Sequence, residues 1–80
     1  VKRLPWPEIL IESISQEIRL RREELGLTVY ALSQSSGVSQ QGIAYYEKGT
    51  RRPSLEGLAK VAKGLGLELS ELIARAERRI

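Results

Sequence analysis

The sequence predicts an all-α fold of five short helices, and three observations carry that prediction. The apolar residues make up 41% of the chain and are dominated by Leu, Ile, Ala and Val, which suit packed helices better than a sheet rich in aromatic and β-branched side chains. They recur at spacings of three and four within separate stretches, the interval that lines one face of a helix. Between the stretches, Ser or Thr precedes an apolar run and Gly follows it, as expected where a helix is capped and then stopped. Eighty residues can close one core and not two, so residues 1–80 are expected to form a single domain.

Each element follows from local chemistry. Leu4-Pro5-Trp6-Pro7 cannot be helical throughout, because a proline pushes its predecessor towards extended geometry, yet Pro7 suits a first helical turn. The first helix is therefore expected from Pro7 or Glu8 to about Leu25, with Leu10, Ile14, Ile18 and Leu25 inward and Gly26 at its end. Thr28 caps a second, short helix carrying Ala31 and Leu32 and closed by Gly37. Ser39 caps a third, with Ile43 and either Tyr46 or Glu47 inward, stopped by Gly49. After the basic connection Thr50-Arg51-Arg52-Pro53, Ser54 caps a fourth helix with Leu55, Leu58, Ala59, Ala62 and Leu65 on its apolar stripe, closed by Gly64 and Gly66. Leu67, Leu69, Leu72 and Ile73 supply a fifth from about Leu69. Its tail places Arg75, Arg78 and Arg79 near a helix C-terminus, where the macrodipole favours cations.

Composition narrows the function classes. Cys, His and Met are absent, which removes disulfides, the usual zinc sites, thiol nucleophiles and histidine acid–base chemistry together. Ten carboxylates remain, but no ligand cluster, phosphate loop or activated nucleophile is recognisable, so neither an enzyme nor a bound cofactor is expected. A net charge of +3 and a pI near 9.6 are compatible with a polyanionic partner. No apolar stretch is long enough to span a membrane, and Val1-Lys2-Arg3 leads into Pro5, Pro7, Glu8 and Glu12 rather than the apolar centre of a signal peptide. A cytoplasmic location is the expectation.

The informative segment is Leu27 to Glu47, where two helices of about two turns flank Gly37-Val38-Ser39. So short a turn forbids antiparallel stacking, and the helices must cross steeply. The second then protrudes, and a protruding helix fits the B-DNA major groove. Ser39-Gln40-Gln41 opens that helix. A glutamine amide carries both donor and acceptor and can pair with adenine N6 and N7, so two in succession offer adjacent reading heads. Ala44 can touch a thymine methyl, and Tyr45 can meet sugar, phosphate or base. Gln41, Ala44, Tyr45 and Lys48 are the expected outward positions. Lys48, Arg51 and Arg52 follow where the helix leaves the groove, which suits sequence-independent phosphate contacts.

Leu27-Thr28, Leu32, Gly37-Val38-Ser39, Ile43, Tyr46-Glu47, Gly49, Pro53-Ser54-Leu55, Leu58 and Ala62 resemble the Cro/CI-type (XRE-like) helix-turn-helix DNA-binding domains of lambdoid phage repressors. The resemblance runs from about Ile14 to Ile73. It leaves residues 1–13 as an N-terminal extension with the start of the first helix, and 74–80 as a helix tail. It implies a lambda-repressor-like domain in which Thr28 to Ser36 lies across the DNA backbone and Gln40 to Tyr46 enters the major groove. Under that reading Gln40, Gln41, Ala44 and Tyr45 face bases, while Thr28, Tyr30, Ser39, Lys48, Arg51 and Arg52 face the backbone. Arg22 and Glu47 resemble a family pair tying the first helix to the end of the third.

Two positions depart from the pattern. Val29 stands where many relatives carry a backbone-contacting glutamine, which leaves that task to backbone N–H groups with Thr28 and Tyr30. Ser33 replaces the usual alanine near the helix crossing, where a buried hydroxyl needs a partner. The expected function is transcriptional regulation by a homodimer on double-stranded DNA, since one short module reads only a few base pairs. The alternative is a protein-interaction module, such as an antitoxin or anti-repressor, with Trp6, Ile9, Ile11 and the tail through Ile80 as its surface.

Overall fold

The computed structural model describes residues 7–80. They form α1 (Glu8–Glu24), α2 (Val29–Ser36), α3 (Gln40–Lys48), α4 (Leu55–Gly64) and α5 (Leu69–Arg78), with no strand among the described residues. Three starts are capped as the sequence leads one to expect. Thr28 Oγ1 accepts from the Ala31 N–H at 3.0 Å, Ser39 Oγ from Gly42 at 3.0 Å and Ser54 Oγ from Gly57 at 2.9 Å. Each satisfies a donor with no partner inside its helix. The start of α5 uses a capping box, in which Glu71 returns to accept from the Glu68 N–H at 2.8 Å. The turn between α2 and α3 depends on Gly37, whose φ of +80° strains any residue bearing a Cβ.

All five helices contribute to one core. Ile18, Leu32, Ile43, Val61, Leu65 and Leu72 are the largest fully buried side chains, each worth roughly 1.5–3 kcal/mol relative to exposure. Partly buried Leu10, Val29, Val38, Tyr46, Leu69 and Ile73 pack around this set. Ser33 is buried, and its hydroxyl donates to the Tyr30 carbonyl at 2.7 Å, which resolves the substitution at that crossing.

The apolar register of α4 differs from the sequence-based expectation. Leu55 is 72% exposed and Ala59 is exposed, while Val61 is buried. The inward stripe is Leu58, Val61, Ala62 and Leu65, because α2 meets α4 along its second half. Leu25 also turns out to solvent, at 43% exposure, from its position capping the end of α1. Gly64 is the last residue of α4, and the left-handed residue that closes the turn after it is Gly66, as expected.

The tail of α5 is fastened to α1 by polar contacts rather than left to the helix dipole. Glu17 is almost fully buried. It accepts from Arg79 Nε at 2.8 Å and lies 3.6 Å from Arg75 Nη1. One turn earlier, Ser13 Oγ donates to the Ala76 carbonyl. Ser13, Glu17 and Ala76 are thus interior positions that the apolar periodicity missed. Trp6 lies outside the described residues.

Gly64 marks the closest approach of α2 and α4. A Cβ built there would stand 2.8 Å from Ser36 Cβ and 2.9 Å from Leu32 Cδ1, distances that force the helices apart. Gly64→Ala gains about 0.5–1 kcal/mol of helix propensity, but overpacking of this kind costs about 1–3 kcal/mol. The expected outcome is a lower melting temperature by thermal denaturation. An unchanged or higher value would show that the crossing relaxes without cost.

Candidate nucleic-acid interface

The orientation of α3 is set by a small apolar anchor and a large polar one. Ile43 is the sole fully buried side chain of this helix, with Tyr46 half-buried beside it. At the helix end, Glu47 meets Arg22 of α1 in a two-pronged contact, Nε to Oε2 at 2.7 Å and Nη2 to Oε1 at 2.9 Å. The third prong of the guanidinium, Nη1, donates to the Leu27 carbonyl at 2.9 Å. One side chain therefore ties together the last turn of α1, the approach to α2 and the last turn of α3. The side chains of Arg22 and Glu47 retain 14% and 8% exposure.

The hydrogen bond to Glu47 holds the Arg22 guanidinium above the ordinary arginine pKa; burial opposes it, and the charges of Glu47 and Glu23 add to it. A folded-state value raised in this way contributes stability that is complete below the unfolded arginine pKa and disappears only as pH climbs past the folded one. On the arginine side, the pair is insensitive to pH through the neutral and moderately alkaline range.

With its inner face so fixed, α3 presents Gln40, Gln41 and Lys48 to solvent and leaves Ala44 and Tyr45 half-buried. Gln40 and Gln41 occupy the first turn, directly after the Ser39 cap. Their backbone N–H groups precede the first intrahelical donor, the Ile43 N–H, and point out of the helix start. Gln41 Nε2 donates to the Tyr45 hydroxyl at 2.9 Å. The Arg51 guanidinium lies over the Tyr45 ring, 4.7 Å from its centroid.

Ala44 sits on a different flank from Tyr45. It lines an open cleft of about 780 Å³ between α1 and α3, along with Val29, Gln16, Arg19, Lys48 and Arg52. The three cations that the sequence groups together are thereby divided. Lys48 and Arg52 belong to the cleft side, where Arg52 Nη2 stands 3.7 Å from Glu8 Oε2 in an exposed pair. Arg51 covers Tyr45 on the other side. Thr28 is exposed with its oxygen engaged as a cap, and Tyr30 is 58% exposed on the first turn of α2. Gln16 and Arg19, which share the cleft with Val29, are functional candidates absent from the sequence expectation, because the apolar stripe of α1 carries no signal for the polar positions between its residues.

This architecture, two short helices joined by a glycine turn with the second held outward over a helical base, is a helix-turn-helix. The helix-turn-helix family model matches residues 18–72, more than half of the chain, and the chain belongs to that family in its Cro/CI (XRE) type. It is 40% identical over 58 residues to the HTH-type transcriptional regulator y4dL of Sinorhizobium fredii, covering 72% of this chain and 30% of the relative. It is 36% identical over 66 residues to the cryptic phage CTXphi transcriptional repressor RstR of Vibrio cholerae, covering 82% of this chain and 60% of the repressor. The chain thus spans less than two thirds of the length of either.

Two solved structures share the fold. The clp gene regulator ClgR of Corynebacterium glutamicum has a TM-score of 0.79 at 26% identity, over 99% of this chain and 96% of that one. The restriction-modification controller protein C.AhdI of Aeromonas hydrophila has a TM-score of 0.72 at 32% identity, over 79% of this chain and 94% of that one. Among the described residues no helix is long and apolar enough to cross a membrane.

The Arg22–Glu47 contact yields a stability prediction. Removing one partner from a buried pair strands the other charge and costs about 3–5 kcal/mol; with Arg22 partly reached by water, about 3 kcal/mol is expected for Glu47→Ala. Glu12→Ala, at an exposed position on the same cleft, should change stability little. Denaturant titration of both variants measures the difference, and equal midpoints would remove the pair from its structural role.

Proposed function

We propose that the chain binds double-stranded DNA sequence-specifically and regulates transcription as a homodimer, with α3 in the major groove and the start of α2 against the backbone. One observation carries the reading: two glutamine side chains stand exposed on the first turn of a helix whose inner face is pinned at its far end. Amides at that position can reach base edges, where a bidentate contact to adenine contributes about 1–3 kcal/mol of discrimination. Ser39 and Thr28, already engaged as caps through their oxygens, retain a hydroxyl proton to donate to phosphate. Tyr30 offers a further donor from the first turn of α2.

Lys48 and Arg52 approach one flank of the docked helix and Arg51 the other, so the two DNA strands bordering the groove each receive positive charge. Gln16 and Arg19 supply polar groups on the cleft where Val29 has none. Ala44, on the same cleft, approaches DNA from the flank of α3, and a thymine methyl is its natural contact. The relatives named as transcriptional regulators and a repressor support this reading.

A dimer is proposed because a single module covers few base pairs and two-fold symmetry doubles the site. Ile9, at 44% exposure, and Leu55, at 72%, are large apolar side chains available for the contact. Sedimentation with and without DNA should show two chains on a two-half-site duplex. A monomer that bound an isolated half-site with full affinity would overturn the dimer.

Base reading and phosphate positioning respond differently to substitution. Gln40→Ala or Gln41→Ala should cost about 1–3 kcal/mol on the best site and relax preference at one or two base pairs. Arg52→Ala should instead weaken binding to every sequence alike and reduce the slope of log affinity against log salt by about one. Selection from a random duplex pool, followed by salt titration, measures both. Glutamine variants with full preference beside an arginine variant without it would show that α3 is docked wrongly.

A further inference from the structure

We propose that Tyr45 is a positioning residue that sets the base preference of Gln41, by committing one amide N–H of that side chain and leaving it suited to adenine over guanine. The inference rests on the reading of α3 as the base-facing helix. It comes from a chain of contacts on the outer surface of α3: Arg51 over the Tyr45 ring at 4.7 Å, and the Tyr45 hydroxyl accepting from Gln41 Nε2 at 2.9 Å. Positions four apart on a helix are neighbours, so the hydrogen bond lies along the face rather than across it. The guanidinium over the ring face holds the ring by cation–π attraction.

A free glutamine amide has two N–H donors and one carbonyl acceptor. Adenine presents N6–H₂ as donor and N7 as acceptor, whereas guanine presents two acceptors, O6 and N7. With both N–H groups at liberty, the amide can turn its nitrogen towards guanine and donate twice. Once one N–H is given to Tyr45, a single donor and the carbonyl remain. That combination matches adenine, and guanine O6 would then face the amide oxygen, acceptor against acceptor. Fixing the amide plane before contact also removes part of the entropy otherwise lost on binding. Arg51 enters indirectly, since its hold on the ring keeps the hydroxyl within reach of Gln41.

The test is a double-mutant cycle on base discrimination. Affinity is measured for the selected site and for duplexes with each A·T pair changed to G·C, using the full chain as wild type, Tyr45→Phe, Gln41→Ala and the double variant. Phenylalanine keeps the ring for Arg51 and deletes only the hydroxyl. Taking the ratio of two duplexes within one variant cancels any loss of folded protein. Tyr45→Phe should reduce the preference for adenine over guanine by roughly tenfold, at the same base pair where Gln41→Ala acts, and should have no further effect in the Gln41→Ala background.

An equal effect of Tyr45→Phe in both backgrounds would mean that the hydroxyl meets DNA itself and would overturn the proposal. So would undiminished discrimination in Tyr45→Phe. A wild-type chain without base preference, or a Gln41→Ala variant that kept it at every position, would overturn the groove reading and this inference with it. Those two results are distinguishable from the first pair before any Tyr45 variant is examined.

Discussion

The contact between Arg22 and Glu47 is the constraint on which the rest of the surface depends. A helix offered to a partner must keep its outer face polar, which leaves little apolar surface with which to hold its own position. In α3 that remainder is Ile43 and part of Tyr46. One buried side chain near the middle of a nine-residue helix fixes its distance from the core but not its rotation about that point. The two-pronged pair at the last turn supplies the second fixed point, and the bond from Nη1 to the Leu27 carbonyl carries the constraint on to α2. A buried ion pair need not exceed an apolar pair in net stability. Its geometry, however, is directional where packing is not.

A similar arrangement recurs on the other side of α1. Glu17 gathers Arg79 and Arg75, and Ser13 meets the Ala76 carbonyl, so α5 is located by named polar atoms as well as by Leu72 and Ala76. For so short a chain this is economical. Small domains bury a modest fraction of their surface, and each polar contact adds orientation without requiring another large side chain. The exception is Ser15, whose buried hydroxyl has no partner among the described residues.

What could be read in the sequence was what is decided locally. Thr28, Ser39 and Ser54 act on backbone groups a few residues away, so their cap roles and the helix starts followed directly. The resemblance of the Leu27 to Ala62 pattern brought Arg22 and Glu47 together; spacing alone, with the two 25 positions apart, does not. Gly64 does end α4, but its bare backbone also admits Ser36 and Leu32 of another helix, which no local pattern announces. Leu55 and Ala59 fit an apolar stripe as well as Val61 does, and only the line along which α2 arrives selects between them. The cluster Lys48, Arg51 and Arg52 was visible, but its division between two flanks was not, since it depends on how the loop after Gly49 turns.

The division has an electrostatic consequence for how the surface meets a polyanion. Arg52 stands by Glu8 at 3.7 Å, and both are well exposed. Such a pair is worth about 0–1 kcal/mol, so a phosphate can displace the carboxylate at small cost, but Glu8 and Glu12 remain on that cleft and oppose it. Arg51 has no carboxylate within 4 Å among the described residues, and its partner is the face of Tyr45. A guanidinium over an aromatic face engages the ring without spending its N–H donors on a carboxylate, which leaves them available to phosphate. The two arginines are adjacent in sequence and equal in formal charge, yet one must exchange a partner to bind an anion while the other retains the contact that orders the tyrosine beside it.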